Sequence, residues 1–357
     1  MTTYREPAKL SVLSGDTNHD RLACVSYNKP RSSTHTIRIT STKMTPYLPL
    51  KIEDVKQNEG DTVSRGQNAS VDLLCCKLKP GVGVQDRDLL VETFADPNVR
   101  VNVAWDNPAE HKYMKANHPS FEPVSELKLK GLDAIWGKLQ CTSAIQFVVD
   151  QVVSSINFTE PQLEAEIVGV ANRSISRQRS YNHPSYDFHT DVSPNPEVYA
   201  RQIKRLLPYQ FQSTLTDPAY ALFPVTFVAY FMDDHSAVHW HPAFATTVVK
   251  CNENESDLAS CRVGYCPRKN GTVGIFPGWN EHSVAPNPGL ERFGVVRKVN
   301  IHYKRTAFGE SLDWQFFKDK FKTSVNQCDQ FTGIVSEEIG YLSHILQESK
   351  QQPPPNY

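Results

Sequence analysis

The stretch Gly271-Thr-Val-Gly-Ile-Phe-Pro-Gly-Trp-Asn-Glu-His-Ser-Val-Ala-Pro-Asn-Pro-Gly-Leu-Glu-Arg292 carries most of the information about the fold. It reads as a strand, a Pro-Gly turn, a histidine at the start of the next strand, and an arginine ten residues later. Working outward, short apolar runs of the same texture recur on both sides. Glu166–Ala171, Val225–Phe231, Ala245–Lys250 and Cys261–Tyr265 precede it, and the run from Arg292 to Tyr303 closes the series. Runs of this length, rich in Val, Ile, Tyr and Phe and bounded by turn residues, read as strands. A helix is expected over 195–207, with Pro196 in its first turn.

Further out the period lengthens towards 3.6. Segments 86–94, 124–136 and 143–153 read as helices, as does the tail from Leu312 to Gln347. Short β-like runs near 9–13, 21–27 and 36–40 alternate with polar turns, and 53–70 reads as a loop. The expected class is α+β: a closed or sandwiched β core with helical buttresses from the N-terminal half and the C-terminal tail. The expected organisation is a mixed region over 1–160 packing on the core, a β core over 161–310, helices over 311–350 and a frayed end over 351–357.

Composition narrows the function classes. Across 357 residues, 38 Lys and Arg against 39 Asp and Glu give a net charge of −1. That balance lacks the clustered positive charge that a nucleic-acid backbone or an anionic membrane surface requires. No run reaches the ~18 uninterrupted apolar residues of a membrane span. No secretory signal is expected, so the eight cysteines are expected to be reduced, mostly buried thiols and the location cytoplasmic. A zinc knuckle through Cys251, Cys261 and Cys266 lacks an obvious fourth ligand.

Two motifs carry chemistry. In Arg179-Ser-Tyr-Asn-His-Pro-Ser-Tyr-Asp-Phe-His-Thr-Asp-Val192, His189 and Asp191 fall on one face of a strand, because side chains alternate with period two. His282 is the second candidate imidazole. Two histidines and a carboxylate on one face of a metal leave the opposite positions open for substrate and O2, the arrangement of non-haem Fe(II) oxygenases.

His189-x-Asp191, His282 and Arg292 together resemble the Fe(II)/2-oxoglutarate-dependent dioxygenases of the double-stranded β-helix fold. Tyr186-Asp-Phe-His-Thr-Asp191, Val225-Thr-Phe-Val-Ala-Tyr-Phe-Met-Asp-Asp234 and Gly271–Trp279 resemble the prolyl-4-hydroxylase-like branch. The resemblance spans about residues 165–305. It implies that His189, Asp191 and His282 hold Fe(II), and that Arg292 pairs with the distal carboxylate of the cosubstrate 2-oxoglutarate, with Tyr230 adding a hydroxyl. Arg297 is the fallback anchor, although it falls on the opposite strand face. His235, His239 and Trp240 are then candidates to line the substrate pocket. The implied reaction consumes O2, releases succinate and CO2, and oxidises a C–H bond by hydroxylation, desaturation or oxidative cyclisation. The expected substrate is a small, amino-acid-derived molecule; peptidyl-prolyl-type hydroxylation is the alternative.

The 93-residue step from His189 to His282 exceeds the family's usual spacing and places an insertion between them. Val238-His-Trp-His-Pro242 offers a competing site, in which His239, His241 and His282 form a three-histidine, cupin-type centre that needs no 2-oxoglutarate. A non-enzymatic β-sandwich binding protein is the third reading. The oligomeric state is not legible.

Overall fold

The computed structural model describes residues 71–103, 124–168, 173–178, 188–192, 217–233, 246–251, 262–284, 291–307, 309–336 and 338–341. The expected strands before residue 70 and the expected helix at 195–207 lie outside them. In chain order the described elements begin with β1 (Leu74–Leu78), α1 (Pro80–Ala95), β2 (Val101–Val103), β3 (Ser125–Leu127), α2 (Leu129–Trp136) and α3 (Gln140–Thr159). Next come β4 (Glu166–Val168), β5 (Arg173–Gln178), β6 (Tyr220–Met232), β7 (Thr247–Lys250), β8 (Arg262–Tyr265), β9 (Thr272–Pro277), β10 (His282–Val284) and β11 (Arg292–Lys304). The series ends with α4 (Trp314–Gln327), β12 (Phe331–Val335) and β13 (Glu338–Tyr341).

The strands form two antiparallel sheets. The larger has the order β12-β1-β9-β6-β11-β5-β3-β2, with β4 also pairing with β11; the smaller has the order β10-β7-β8-β13. Residue His189 joins the smaller sheet through a bridge to His282. From β5 onward the chain alternates between sheets: β5 in the larger, His189 in the smaller, β6 back in the larger. It then runs β7 and β8, β9, β10 and β11 in the same alternation.

Alternation of side chains along β6 explains the layering. Phe223, Val225, Phe227, Ala229 and Phe231 enter the core shared with the helices. Val228, Tyr230 and Met232 join a second cluster with Val249, Cys251 and Cys266, which lie on or beside the smaller sheet. At β6 the larger sheet is thus buried on both faces. Pro224 sits within β6 opposite Asn300 of β11, but β9 pairs only from Val225 onward, so its missing N–H leaves no ladder position empty on that side.

The helices form where capping and apolar stripes agree. Asp86, buried on α1, accepts from the backbone N–H groups of Gln140 and Cys141 at 2.8 and 2.7 Å, capping α3 from outside its own chain segment. Below the cap, Cys141, Ala144, Ile145, Val148, Val149, Val152 and Ile156 form the buried stripe. Asp313 caps α4 by accepting from Phe316 N at 2.9 Å, and Trp314, Phe317, Phe321 and Val325 bury the helix against the sheet.

Three expectations are corrected. Among the described residues the tail is helical over Trp314–Gln327; Phe331–Val335 and Glu338–Tyr341 are strands, because β12 completes the edge of β1 and β13 the edge of β8, and 342–347 lie outside the described residues. Segment 124–136 divides into β3 and a helix that begins at Leu129. Among the cysteines, Cys75 of β1 and Cys266 after β8 are joined as a disulfide with Cα atoms 5.7 Å apart, a bond between the two sheets. That pairing removes Cys266 from any zinc knuckle. Cys76, Cys141 and Cys328 are buried thiols. Among the described residues no helix is long and apolar enough to cross a membrane.

Candidate metal centre

The turn between β9 and β10 builds the site. Gly278 N donates to Pro224 O at 2.9 Å, and Gly278 O accepts from both Asp191 N and Val192 N at 3.0 and 3.2 Å. A Cβ at Gly278 would meet Pro224 at 3.3 Å and Val192 at 3.5 Å, so glycine permits this close approach. Four residues on, His282 and His189 exchange both backbone hydrogen bonds, at 3.0 and 2.9 Å. Their rings lie 4.4 Å apart, centroid to centroid.

Asp191 approaches both of them. Its Oδ2 is 3.7 Å from His282 Nε2 and its Oδ1 is 4.0 Å from His189 Nε2. One ligand atom from each of the three residues lies within 4.8 Å of the others. Asp191 and His282 are deeply buried, with side chains 5% and 6% exposed, while the His189 side chain is 55% exposed. The centre therefore opens to solvent on the His189 side.

Local partners orient the two buried ligands. Asn280 O lies 2.9 Å from His282 Nδ1, and a carbonyl can only accept, so Nδ1 carries the proton and Nε2 presents its lone pair towards Asp191. Phe276 packs on the same ring at 4.6 Å. Burial pushes the His282 pKa down; Asp191 pulls it up, and the net shift is downward. That keeps the imidazole in the neutral form a metal requires. Burial pushes the Asp191 carboxyl up, but His282, Lys298 and the hydrogen bonds from Lys298 and Thr226 outweigh it and hold the group below its ordinary range.

Thr226 and Lys298 were not legible as site residues. They are cross-strand partners on β6 and β11. Thr226 Oγ1 donates to Asp191 Oδ2 at 2.6 Å, and Lys298 Nζ donates to Oδ1 at 2.5 Å. The available signal was parity: on strands, Lys298 shares a face with Arg292, and Thr226 shares one with Tyr230.

Arg292 and Tyr230 form a second polar cluster on the same sheet face. Arg292 is fully buried; its Nε donates to Gln178 Oε1 at 3.0 Å, and its Nη2 donates to the same oxygen. The guanidinium lies over the Tyr230 ring, 5.3 Å from its centre. Tyr230 Oη and Thr247 Oγ1 are 2.9 Å apart. Burial raises the Tyr230 pKa, against lowering by Arg292 and Thr247, so the phenol keeps its proton and can donate. Gly294 lies opposite Tyr230, and a Cβ there would crowd Ser176 Oγ at 3.1 Å. Arg297 turns to the helical side, where its Nη2 donates to Gln146. His235, His239, Trp240 and His241 lie outside the described residues.

Two imidazoles and one carboxylate, converging on one point, are a donor set suited to Fe(II). Thr226 supplies the outer hydrogen bond that fixes a ligating carboxylate.

No family model matches the chain, and no curated protein matches it. Among solved structures, a prolyl hydroxylase in complex with a hypoxia inducible factor peptide fragment, from Trichoplax adhaerens, is similar at 13% identity and a TM-score of 0.33, covering 66% of this chain and 84% of that one. The non-heme alpha ketoglutarate dependent epimerase SnoN from nogalamycin biosynthesis is similar at 9% identity and a TM-score of 0.36, covering 68% and 85%. A Pseudomonas putida prolyl-4-hydroxylase is similar at 12% identity and a TM-score of 0.25, covering 67% and 95%. Scores this low assign no family to this chain.

Proposed function

We propose that this chain is an Fe(II)- and 2-oxoglutarate-dependent oxygenase built on a double-stranded β-helix. The observation that carries the proposal is the convergence of His189, Asp191 and His282, drawn from either side of a 93-residue interval onto one point. The alternation of the chain between the two sheets from β5 to β11 is the order a jelly roll's winding calls for, and it supports the fold assignment.

In this reading His189, Asp191 and His282 hold the metal, and Thr226 fixes the carboxylate. Arg292 offers a planar fork, and Tyr230 a protonated phenol, to the distal carboxylate of 2-oxoglutarate. Together with 2-oxoglutarate and O2, bound iron supplies an oxidant able to take hydrogen from an unactivated C–H bond, with succinate and CO2 released. The protein's own work is placement and exclusion of water: Phe276 and the neighbouring apolar cluster dry the inner side, and the His189 side is the entrance. The substrate class we assign is a small, amino-acid-derived molecule. Whether the C–H bond is hydroxylated, desaturated or used in ring closure depends on the substrate, not on these residues.

The test is succinate release from 2-oxoglutarate in the presence of a panel of amino-acid derivatives. Substrate-dependent succinate, absent from the Asp191→Ala variant, supports the reading. Succinate formation unchanged in that variant contradicts it.

A further inference from the structure

Lys298 is the one cation placed on the carboxylate of the candidate metal centre by the described residues. It is not a surface ion pair, since its side chain is 24% exposed and that of Asp191 only 5%. Lys298 and Thr226 rise from adjacent strands and take one oxygen of Asp191 each, so the carboxylate is gripped at both ends. Thr226 alone would orient it. The ammonium adds something an orienting hydroxyl does not, which is a full positive charge next to the place a divalent ion would occupy.

We propose that Lys298 is a positioning residue that neutralises the metal centre, so that a divalent ion alone is held weakly and is retained firmly only together with an anionic cosubstrate. The inference rests on the metal-centre reading above. With both imidazoles in the unprotonated form that holding a metal requires, the carboxylate at −1 and the ammonium at +1, the protein ligands and their neighbour sum to zero. The same triad without a neighbouring cation would sum to −1. A divalent ion entering the neutral set therefore meets repulsion from Lys298 and less attraction from an Asp191 already engaged by it. Charges a few ångströms apart in a partly desolvated site shift affinities by orders of magnitude, and solvent reaching the ammonium reduces this to roughly tenfold. A dianionic oxo acid arriving at the metal reverses the balance, because the ammonium attracts it. By reciprocity, whatever strengthens the oxo acid on the metal strengthens the metal in the protein.

The experiment is calorimetric titration of the full chain with Mn(II), a redox-inert probe, with and without 2-oxoglutarate, in the wild type and in Lys298→Met, Lys298→Gln and Lys298→Arg. The two neutral variants should bind Mn(II) alone about tenfold or more tightly than wild type. In them the gain in Mn(II) affinity conferred by 2-oxoglutarate should shrink by a similar factor, while Lys298→Arg keeps the wild-type pattern. Lys298→Gln is read in the same way should Lys298→Met fail to fold. Neutral variants that bind Mn(II) no more tightly than wild type, or lose it, overturn the proposal and make Lys298 a structural support of Asp191. A wild type that binds no Mn(II) overturns the metal-centre reading, and this inference with it.

Discussion

His189 and His282 stand side by side as an antiparallel pair, exchanging both backbone hydrogen bonds although 93 residues separate them in the chain. The pairing brings two imidazoles together beside Asp191 and makes backbone geometry, rather than side-chain flexibility, responsible for the triad. The ligands are therefore organised before any ion arrives. Asp191→Ala and His282→Ala should each lower Mn(II) affinity by at least about a hundredfold, since each removes a donor from a three-donor set. Calorimetric titration checks this; a variant retaining wild-type affinity would remove that residue from the ligand set.

Thr226 acts on the metal through Asp191. Thr226→Val keeps the shape of the side chain and deletes only the donor to Oδ2. The expected result is a roughly 10–100-fold loss of Mn(II) affinity, the usual cost of an outer hydrogen bond to a ligand. Thermal melting of the metal-free variant separates this from a folding defect.

Arg292 should separate cosubstrate from metal. Arg292→Ala is expected to leave Mn(II) binding within a few-fold of wild type and to weaken 2-oxoglutarate by about a hundredfold, the loss of a bidentate charged contact. Arg292→Lys should recover part of the affinity, because a point charge replaces the fork but keeps the attraction. Titration of the Mn(II)-loaded protein with 2-oxoglutarate reads both. Equal affinity in all three proteins would place the distal carboxylate elsewhere.

The bond between Cys75 and Cys266 closes a loop across 191 residues and ties the two sheets together. Reduction should lower stability by about 2–4 kcal/mol, chiefly by releasing the unfolded chain. Urea unfolding with and without reductant measures the difference, and alkylation followed by mass measurement reports whether these two sulfurs are joined. An unchanged midpoint would contradict the contribution assigned to this bond.

Acid should weaken both fold and site. Burial depresses the pKa of His282, and burial depresses that of His302 against the pull of Glu166. The unfolded chain therefore takes up these protons first, near the ordinary value of 6.5. Stability is complete above that value and declines as the pH falls through the lower folded values. Mn(II) affinity follows the same direction, because protons compete for the imidazole of His282. Urea midpoints and Mn(II) titrations between about pH 7 and pH 5 check this. His302→Asn should flatten the first without changing the second.

How much of this was legible in the sequence depended on whether a residue's meaning was local. The long apolar alternations of β6, β9 and β11 announce strands on their own, and the spacing of His189 and Asp191 needs only a strand's period. Lys298 and Thr226 mean nothing until the register sets them opposite each other beneath Asp191. The Cys75–Cys266 pair likewise depends on two strands meeting from different sheets, a distance no spacing encodes. The tail misled for a related reason. Ile334 and Ile339 fit a helical pattern, but the unpaired edges of β1 and β8 offered backbone partners, and tertiary pairing overrode local preference.

The most direct test of the central claim is the visible spectrum of the metal-free protein, held without oxygen, as Fe(II) and then 2-oxoglutarate are added. A weak charge-transfer band that needs both additions, and is missing from the Asp191→Ala variant, is the predicted result, for it requires the oxo acid to chelate an iron held by this triad. Stoichiometric iron binding with no band, or a band undiminished in Asp191→Ala, would contradict the account.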